Sequence, residues 1–376
     1  MRILFVAHQG DLGGAITPIL EAIDALVPRG CSFGVLVPEP GSLSANLDAR
    51  EIEWRAVALP PWCSTKGRRR LRNIVANYRA YPAVRDAIAM FAPELVVSNS
   101  IVISVAARAA THLGLPHMWW LQEFASEDHN LYFDWGDAIT KRIAARNCVR
   151  AFANSNAVAA KFSGWFGSSR VGRVDYHIAD MPAHAVQAPE PRAAFQLALV
   201  GSLNPQKGQS DALEAMGKLV ASGCNVHLSL YGTGGRGYTA RLRARADALG
   251  LADRVAFCGH VADVSARMAQ ADAVLVTSRC EAFGRVTVEA MRAGVPVIGS
   301  ASGGTVELIE DGRTGLLYPP GDSNALAAAI LRLVDAPDTA RRLAAAGREW
   351  TLPRFGAAQF ADALQREFAL GLSMRA

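Results

Sequence analysis

Two glutamates eight positions apart, Glu281 and Glu289, stand in a stretch that reads T-S-R-C-E-A-F-G-R-V-T-V-E-A-M-R-A-G-V-P-V-I-G-S-A-S-G-G from Thr277 to Gly304. Two carboxylates at one end of a sheet can hydrogen-bond a polyhydroxylated ligand at two separated points. The amides of Phe283, Gly284 and Arg285 fall at a predicted helix start, where the backbone dipole favours a phosphate. Upstream, G-S-L-N-P-Q-K-G-Q (Gly201–Gln209) is a glycine turn carrying one lysine, Lys207, between a strand and a helix, a build suited to cradling phosphate. Either glutamate alone reads as a solvated charge. The ordered string of E-x7-E, F-G, A-G-x-P-V-I and G-G does not.

The elements that must position these groups follow from the apolar pattern. Ala273 to Val276 is a short β-branched run, predicted as a buried parallel strand. A helix is expected from about Val286 to Arg292, ending at Gly294 as its C′ glycine with Pro296 just beyond. A second strand, Val295 to Ile298, then leads into Gly303-Gly304. Strand, loop, helix, strand is a βαβ unit, and ligands of such units bind at the carboxyl ends of the strands.

The same string closely resembles the donor-binding signature of family 4 (group 1) retaining glycosyltransferases, S-x-x-E-x-F-G-x-x-x-x-E-A-M-A-x-G-x-P-V-I followed by G-G, with Arg292 where a small residue is common. The resemblance implies the GT-B fold: α/β, two Rossmann-like, doubly wound parallel-sheet domains facing across a cleft. It implies that Glu281 orients the donor sugar, that Glu289 binds the ribose hydroxyls, and that Lys207 with Phe283, Gly284 and Arg285 holds the diphosphate. The family loop G-R-L-x-x-x-K-G matches at Lys207, whereas Ser202 stands in the arginine position; Arg285 or Arg279 is a candidate for the missing charge. The segment W-W-L-Q-E-F (Trp119–Phe124) resembles a family segment ending in H-E. Glu123 matches, and Gln122 replaces the histidine close to the donor sugar; glutamine hydrogen-bonds but carries no proton at physiological pH. Either Gln122 substitutes, or His8 or His129 takes over.

Two glycine loops remain. Gly10-Asp11-Leu12-Gly13-Gly14 follows the first strand, and the resemblance sets Gly13 and Gly14 beneath donor and acceptor; a plain tight turn explains the glycines equally well. Gly232 to Gly237 reads G-T-G-G-R-G and fits G-x-G-x-x-G, the mark of a nicotinamide or flavin enzyme. Such a site wants an acidic residue at the end of the next strand. That strand, Arg254 to Cys258, ends in Gly259-His260. In the resembled family Gly232 and Gly234 approach the diphosphate, and F-C-G-H-V (Phe257–Val261) contacts the base through the backbone of His260 and Val261.

Composition agrees. At 376 residues and 51% hydrophobic content the chain can bury two cores. A formal charge of +5 favours anions in general, while 19% charged residues is low for a nucleic-acid binder. The six cysteines are scattered without a C-x-x-C pair, which fits a reducing compartment and no zinc site. No secretory leader and no window of about eighteen apolar residues is found. The expected location is cytoplasmic, with peripheral contact at the inner face of a membrane through Lys66–Arg72 (K-G-R-R-R-L-R), next to Trp62, Tyr78 and Tyr81. A solvated helix start is the plainer account of that run.

Strands are expected at Arg2–Ala7, Phe33–Val37, Trp54–Ala58, Glu94–Ser98, Pro116–Leu121, Val149–Ser155 and Val171–His177, alternating with helices. Met181–Arg192, with three prolines in twelve residues, reads as a linker. The expected domains are 1–182, with the helix 356–376 returning to it, and 193–355 on the donor side. The function so implied is retaining transfer of a sugar from a nucleotide-diphosphate sugar to a glycan, lipid-linked or small-molecule acceptor, without cofactor or essential metal. A sugar-nucleotide epimerase on the same fold and a non-catalytic scaffold are the alternatives.

Overall fold

The computed structural model describes residues 1–65, 70–179, 194–261 and 263–374. The expected linker Met181–Arg192, and residues 66–69 of the basic run Lys66–Arg72, lie outside them. The chain divides into two compact units, Met1–His177 with Ala357–Ala376, and Ile178–Gly356.

Nine strands of the first unit are described: β1 (Arg2–Ala7), β2 (Ser32–Val37), β3 (Glu53–Ala56), β4 (Cys63–Ser64), β5 (Leu95–Asn99), β6 (His117–Leu121), β7 (Tyr132–Phe133), β8 (Arg150–Ala153) and β9 (Val171–Arg173). Seven form a parallel sheet in the order β3-β2-β1-β5-β6-β8-β9, while β4 and β7 pair antiparallel as a small ribbon. The central strands are buried along their length except at Arg2, the first residue of β1, as expected where helices cover both faces of a parallel sheet. Trp120 anchors one face, against Phe5, Phe152 and Phe360 at ring separations of 5.3 to 6.1 Å. Phe360 comes from the last helix, Ala357–Ser373, whose Phe360, Leu364 and Phe368 recur at helical spacing and are buried against this sheet. Each such side chain contributes roughly 1.5–3 kcal/mol of burial. Arg150 adds a fork to Glu367 at 2.5 and 3.2 Å.

The second unit repeats the plan with β10 (Phe195–Val200), β11 (Val226–Tyr231), β12 (Val255–Gly259), β13 (Ala273–Val276), β14 (Val297–Ser300) and β15 (Leu316–Tyr318) in the parallel order β12-β11-β10-β13-β14-β15. In both sheets the order reverses beside the first strand, at the switch point where such folds leave a crevice at the strand ends.

Most expected elements recur within one or two residues. Strand β14 starts two residues later than expected, and the reason is local. Gly294, at φ +75°, ends helix Arg285–Arg292 with the amide of Gly294 on the carbonyl of Met291 and that of Val295 on Ala290. Val295 thus closes the helix before the strand begins. The 22-residue helix Arg70–Phe91 begins within the basic run, where a solvated helix start was the plainer account, but its length was not foreseen. Its buried side, Asn73, Ala80, Val84, Ala87, Ile88 and Phe91, keeps helical spacing; interior Pro82, a helix breaker by propensity, masks that period.

Candidate active site

Lys207 and Glu281 form the centre of the polar cluster at the carboxyl edge of the second sheet. Lys207 ends a one-turn helix after β10, capped by Asn204, whose side chain accepts the amides of Gln206 and Lys207. Its Nζ donates to Glu281 Oε2 at 2.8 Å, and Ser278 Oγ donates to the same oxygen at 2.6 Å. The two loops are tied by Thr277 Oγ1 to the Lys207 carbonyl at 2.7 Å and the Arg279 amide to Gln206 at 2.7 Å. Gly303, φ +52°, lets the turn after β14 close on the glutamate: a Cβ there would sit 2.2 Å from the Glu281 carbonyl oxygen. The Gly304 amide then binds that oxygen at 2.7 Å. Both side chains stay accessible, Lys207 at 32% and Glu281 at 16%, so a ligand can reach them.

Buried Phe283 and Gly284 precede helix Arg285–Arg292, whose first turn opens on the Gly284 carbonyl, which accepts the Thr287 amide at 2.9 Å. Glu289, one turn in, lies 3.7 Å from Arg285 across an i,i+4 pair. Arg279, the other candidate cation, is bound to Asp211 at 2.8 Å. Burial pushes the Asp211 carboxyl above its usual range, with Arg279 pulling the other way. Arg292 points away from this edge and is fully buried. Its guanidinium donates to the carbonyls of Ile178 and Thr351. The Ile178 amide binds Phe355, and the ring of Phe355 meets Phe283 edge-on at 5.8 Å. The arginine found where a small residue was expected therefore clasps the entry and exit of the second unit.

The loop Gly232–Gly237 lies beside the loop after β10. The Leu203 amide binds the Thr233 carbonyl at 2.8 Å, the Gly201 amide binds Tyr231 at 2.9 Å, and Leu203 pairs with Gly234 as a bridge. Ser202 is exposed next to them and accepts Asn204 Nδ2 at 2.9 Å. His260, exposed, and Val261, half-buried, follow β12 on the same edge.

Gln122, Gly13 and Gly14 belong to the first unit. The Gly13 carbonyl takes the amides of Ile16 and Thr17 at the head of helix Thr17–Leu26. Gln122 follows β6, buried, with both ends of its amide engaged: Nε2 donates to Asn99 Oδ1, and Oε1 accepts Tyr176 Oη at 2.7 Å. Asn154 donates to Tyr176 Oη at 2.9 Å and to the Gln122 carbonyl at 3.2 Å. His8 Nδ1 donates to the Asn99 carbonyl at 3.1 Å, and burial lowers its pKa to about 4, so the imidazole is neutral at physiological pH. His129 is exposed, 3.8 Å from Asp128.

Sequence reasoning assigned no role to Glu123 beyond a match. It is fully enclosed; its Oε1 accepts Ser100 Oγ at 2.6 Å and the Ile101 amide at 2.8 Å. Burial raises its pKa to about 7, with those bonds opposing. It holds Ser100 at φ +92°, a left-handed turn unusual for a serine. The signal was a charged residue inside the apolar run W-W-L-Q-E-F-A. Among the described residues no group of three or more His, Cys, Asp or Glu side chains could hold a metal ion.

Residues 181–350 match the family of glycosyl transferases group 1. Glycogen synthase of Mycobacterium tuberculosis is 35% identical over 156 residues, 41% of this chain and 37% of that protein. A lipopolysaccharide core biosynthesis glycosyltransferase of Rhizobium meliloti is 32% identical over 185 residues, 49% of this chain and 52% of that one. The match thus spans about half or less of these relatives' length. Among solved structures, Anabaena HepE in complex with UDP-glucose superposes with a TM-score of 0.80 over 98% of this chain and 99% of that one, at 24% identity. WaaG, a glycosyltransferase involved in lipopolysaccharide biosynthesis, gives a TM-score of 0.70 over 96% of this chain and 98% of that one, at 18% identity. These likenesses, with the two parallel sheets, show the GT-B fold. Through residues 181–350, somewhat less than half of its length, the chain is similar to the group 1 glycosyl transferases.

Proposed function

We propose that this protein is a retaining glycosyltransferase of family 4 that moves a sugar from a nucleotide-diphosphate sugar to a glycan, lipid-linked or small-molecule acceptor, with no metal or cofactor required. The observation that carries the reading is the Lys207–Glu281–Ser278 cluster, accessible and fixed by backbone bonds from two loops. Without donor, lysine and glutamate satisfy each other. A bound donor exchanges those partners: its diphosphate takes the Lys207 ammonium, and a sugar hydroxyl takes the Glu281 carboxylate.

As the glycosidic bond breaks, negative charge builds on the departing diphosphate. Lys207 and the first-turn amides of helix Arg285–Arg292 are placed to stabilise that charge, the largest expected contribution to rate. Glu289 accepts from the ribose hydroxyls, while Ser202, Gly232 and Gly234 border the phosphates, and His260 and Val261 the base. Gln122 is assigned a neutral hydrogen-bonding part in transfer, since an amide cannot carry the proton of the histidine it replaces.

The purified chain should be screened by thermal shift against UDP, GDP and ADP, their sugars, and NAD(P), since a ligand of the folded state raises the melting temperature. Stabilisation by one nucleotide diphosphate, with transfer lost in Lys207→Ala and Glu281→Ala, is the expected result. Turnover unchanged in either variant would overturn the assignment. Acceptor-free conversion of the sugar nucleotide would favour the epimerase, and a shift with NAD(P) alone a dehydrogenase.

A further inference from the structure

One face of β10 and β11 in the second unit is left partly open. Along β11, Val226, Leu228 and Leu230 are buried in the core on one side, while His227, Ser229 and Tyr231 on the other are half-buried. A parallel sheet of this kind has helices over both faces. On this side the chain supplies the helix Val264–Met268, only five residues long, whose Met268 packs near Ala198 and Tyr231. Beside it lies a groove of about 380 Å³, walled by Gln196, Ala198, Ser229, Tyr231, Arg267 and Gln270. That volume is within the span of small-molecule pockets, roughly 300–1,000 Å³. Among the described residues lining it, Arg267 is the only charged one. The side chains of Ser229, Tyr231 and Arg267 have no hydrogen-bond or ion-pair partner among the described residues. The carboxylate of Asp272, outside the lining, accepts the Gln196 amide at 2.7 Å.

We propose that this groove is a second binding site, separate from the Lys207–Glu281 cluster, for a small polyol phosphate of monosaccharide size. An unpaired guanidinium offers forked donors to one phosphate group. Two carboxamides, a hydroxyl and a phenol can each donate and accept, which suits a ligand carrying several hydroxyls. An apolar ligand would leave those groups without partners, and a divalent cation would find no carboxylate in the lining. Nucleic acid requires many cations, where this wall has one. The site adjoins the donor edge through Tyr231: its side chain walls the groove, and its carbonyl accepts the Gly201 amide at 2.9 Å. The proposal does not rest on the transfer chemistry, and its test reads binding alone.

Glucose 6-phosphate, glucose and inorganic phosphate should be titrated by calorimetry into the full chain and into three variants. Glucose 6-phosphate is expected to bind at one site, about tenfold or more tighter than glucose or phosphate alone. Arg267→Gln should weaken it by about tenfold or more, through the lost charged hydrogen bonds. Ser229→Val, which puts a methyl where a hydroxyl faced the groove, should weaken it about fivefold. Neither residue is buried, and unchanged melting temperatures without ligand would show the fold intact. Lys207→Ala should bind glucose 6-phosphate like the parent. Binding lost in Lys207→Ala yet kept in Arg267→Gln would place the ligand at the other cluster and overturn the proposal. So would no binding at all, or inorganic phosphate bound as tightly as the sugar phosphate. A failed nucleotide screen, by contrast, would sink the transferase reading and leave this result standing.

Discussion

At the carboxyl edge of the second sheet the polar side chains are charged and partly open to solvent: Lys207 with Glu281, Arg285 with Glu289, Arg279 with Asp211. At the carboxyl edge of the first they are neutral amides and a phenol packed out of water: Asn99, Gln122, Asn154 and Tyr176. The difference lies in what each network can exchange. An accessible ion pair gives up its partner to an anionic ligand at little cost, because solvent already screens it. A buried neutral network rigidifies its surroundings and loses stability when one member is removed. The second edge is built to trade partners; the first is a frame that holds Gln122 in place.

The sharpest way to break this contrast is to truncate one residue of each kind. Lys207→Ala and Glu281→Ala should each lower turnover about 100- to 1,000-fold with little change in melting temperature. Asn154→Ala should instead cost about 1–3 kcal/mol of stability by orphaning buried partners, read from urea unfolding. Equal losses of turnover with intact stability would erase the distinction.

Arg292 tests whether the second unit also contains a frame. Arg292→Ala removes the donor to the Ile178 carbonyl and empties a fully buried site, Thr351 keeping the amides of Arg354 and Phe355, and should destabilise that unit by about 2–4 kcal/mol. A smaller loss, about tenfold, is expected in nucleotide-diphosphate affinity for Glu289→Gln, measured by titration calorimetry.

The finest test concerns Glu123. Its folded pKa of about 7 lies above the ordinary 4.5, so the native state holds the proton more tightly than the unfolded one. Stability from this group is greatest below the unfolded value and is lost as pH rises through about 7. Glu123→Gln, which keeps an acceptor for Ser100 and Ile101, should flatten that decline; thermal melts at pH 5.5 and 8 would show it. An unchanged pH slope would mean that the carboxyl does not titrate there.

How far the sequence foretells these two edges follows from the same contrast. The charged edge was legible because its residues lie in one continuous string, Glu281 to Gly304, with Lys207 in a separate short loop. The neutral edge was not. Asn99, Asn154 and Tyr176 come from distant segments and are ordinary residue types, so only the folded sheet brings them to Gln122. The order of strands and helices was readable from apolar runs, since a parallel sheet buries its strands on both faces. The extent of helix Arg70–Phe91, beyond the start offered at the basic run, escaped for the opposite reason: its outer face is itself apolar at Leu71, Val75 and Tyr78, which blurs the amphipathic period, and Pro82 interrupts it.

The helix Ala357–Ser373 has a bearing on how the chain is made. The first unit needs it, yet the ribosome delivers all of residues 178–356 beforehand. During that interval the seat for Phe360, Leu364 and Phe368 is an open apolar surface, and Arg150 awaits the carboxylate of Glu367. The second unit, continuous in sequence and closed by Arg292, can form on its own while the earlier half is still incomplete. Synthesis order and folding order are therefore inverted: the part translated first is finished last, and its unfinished state is the one exposed to misassembly.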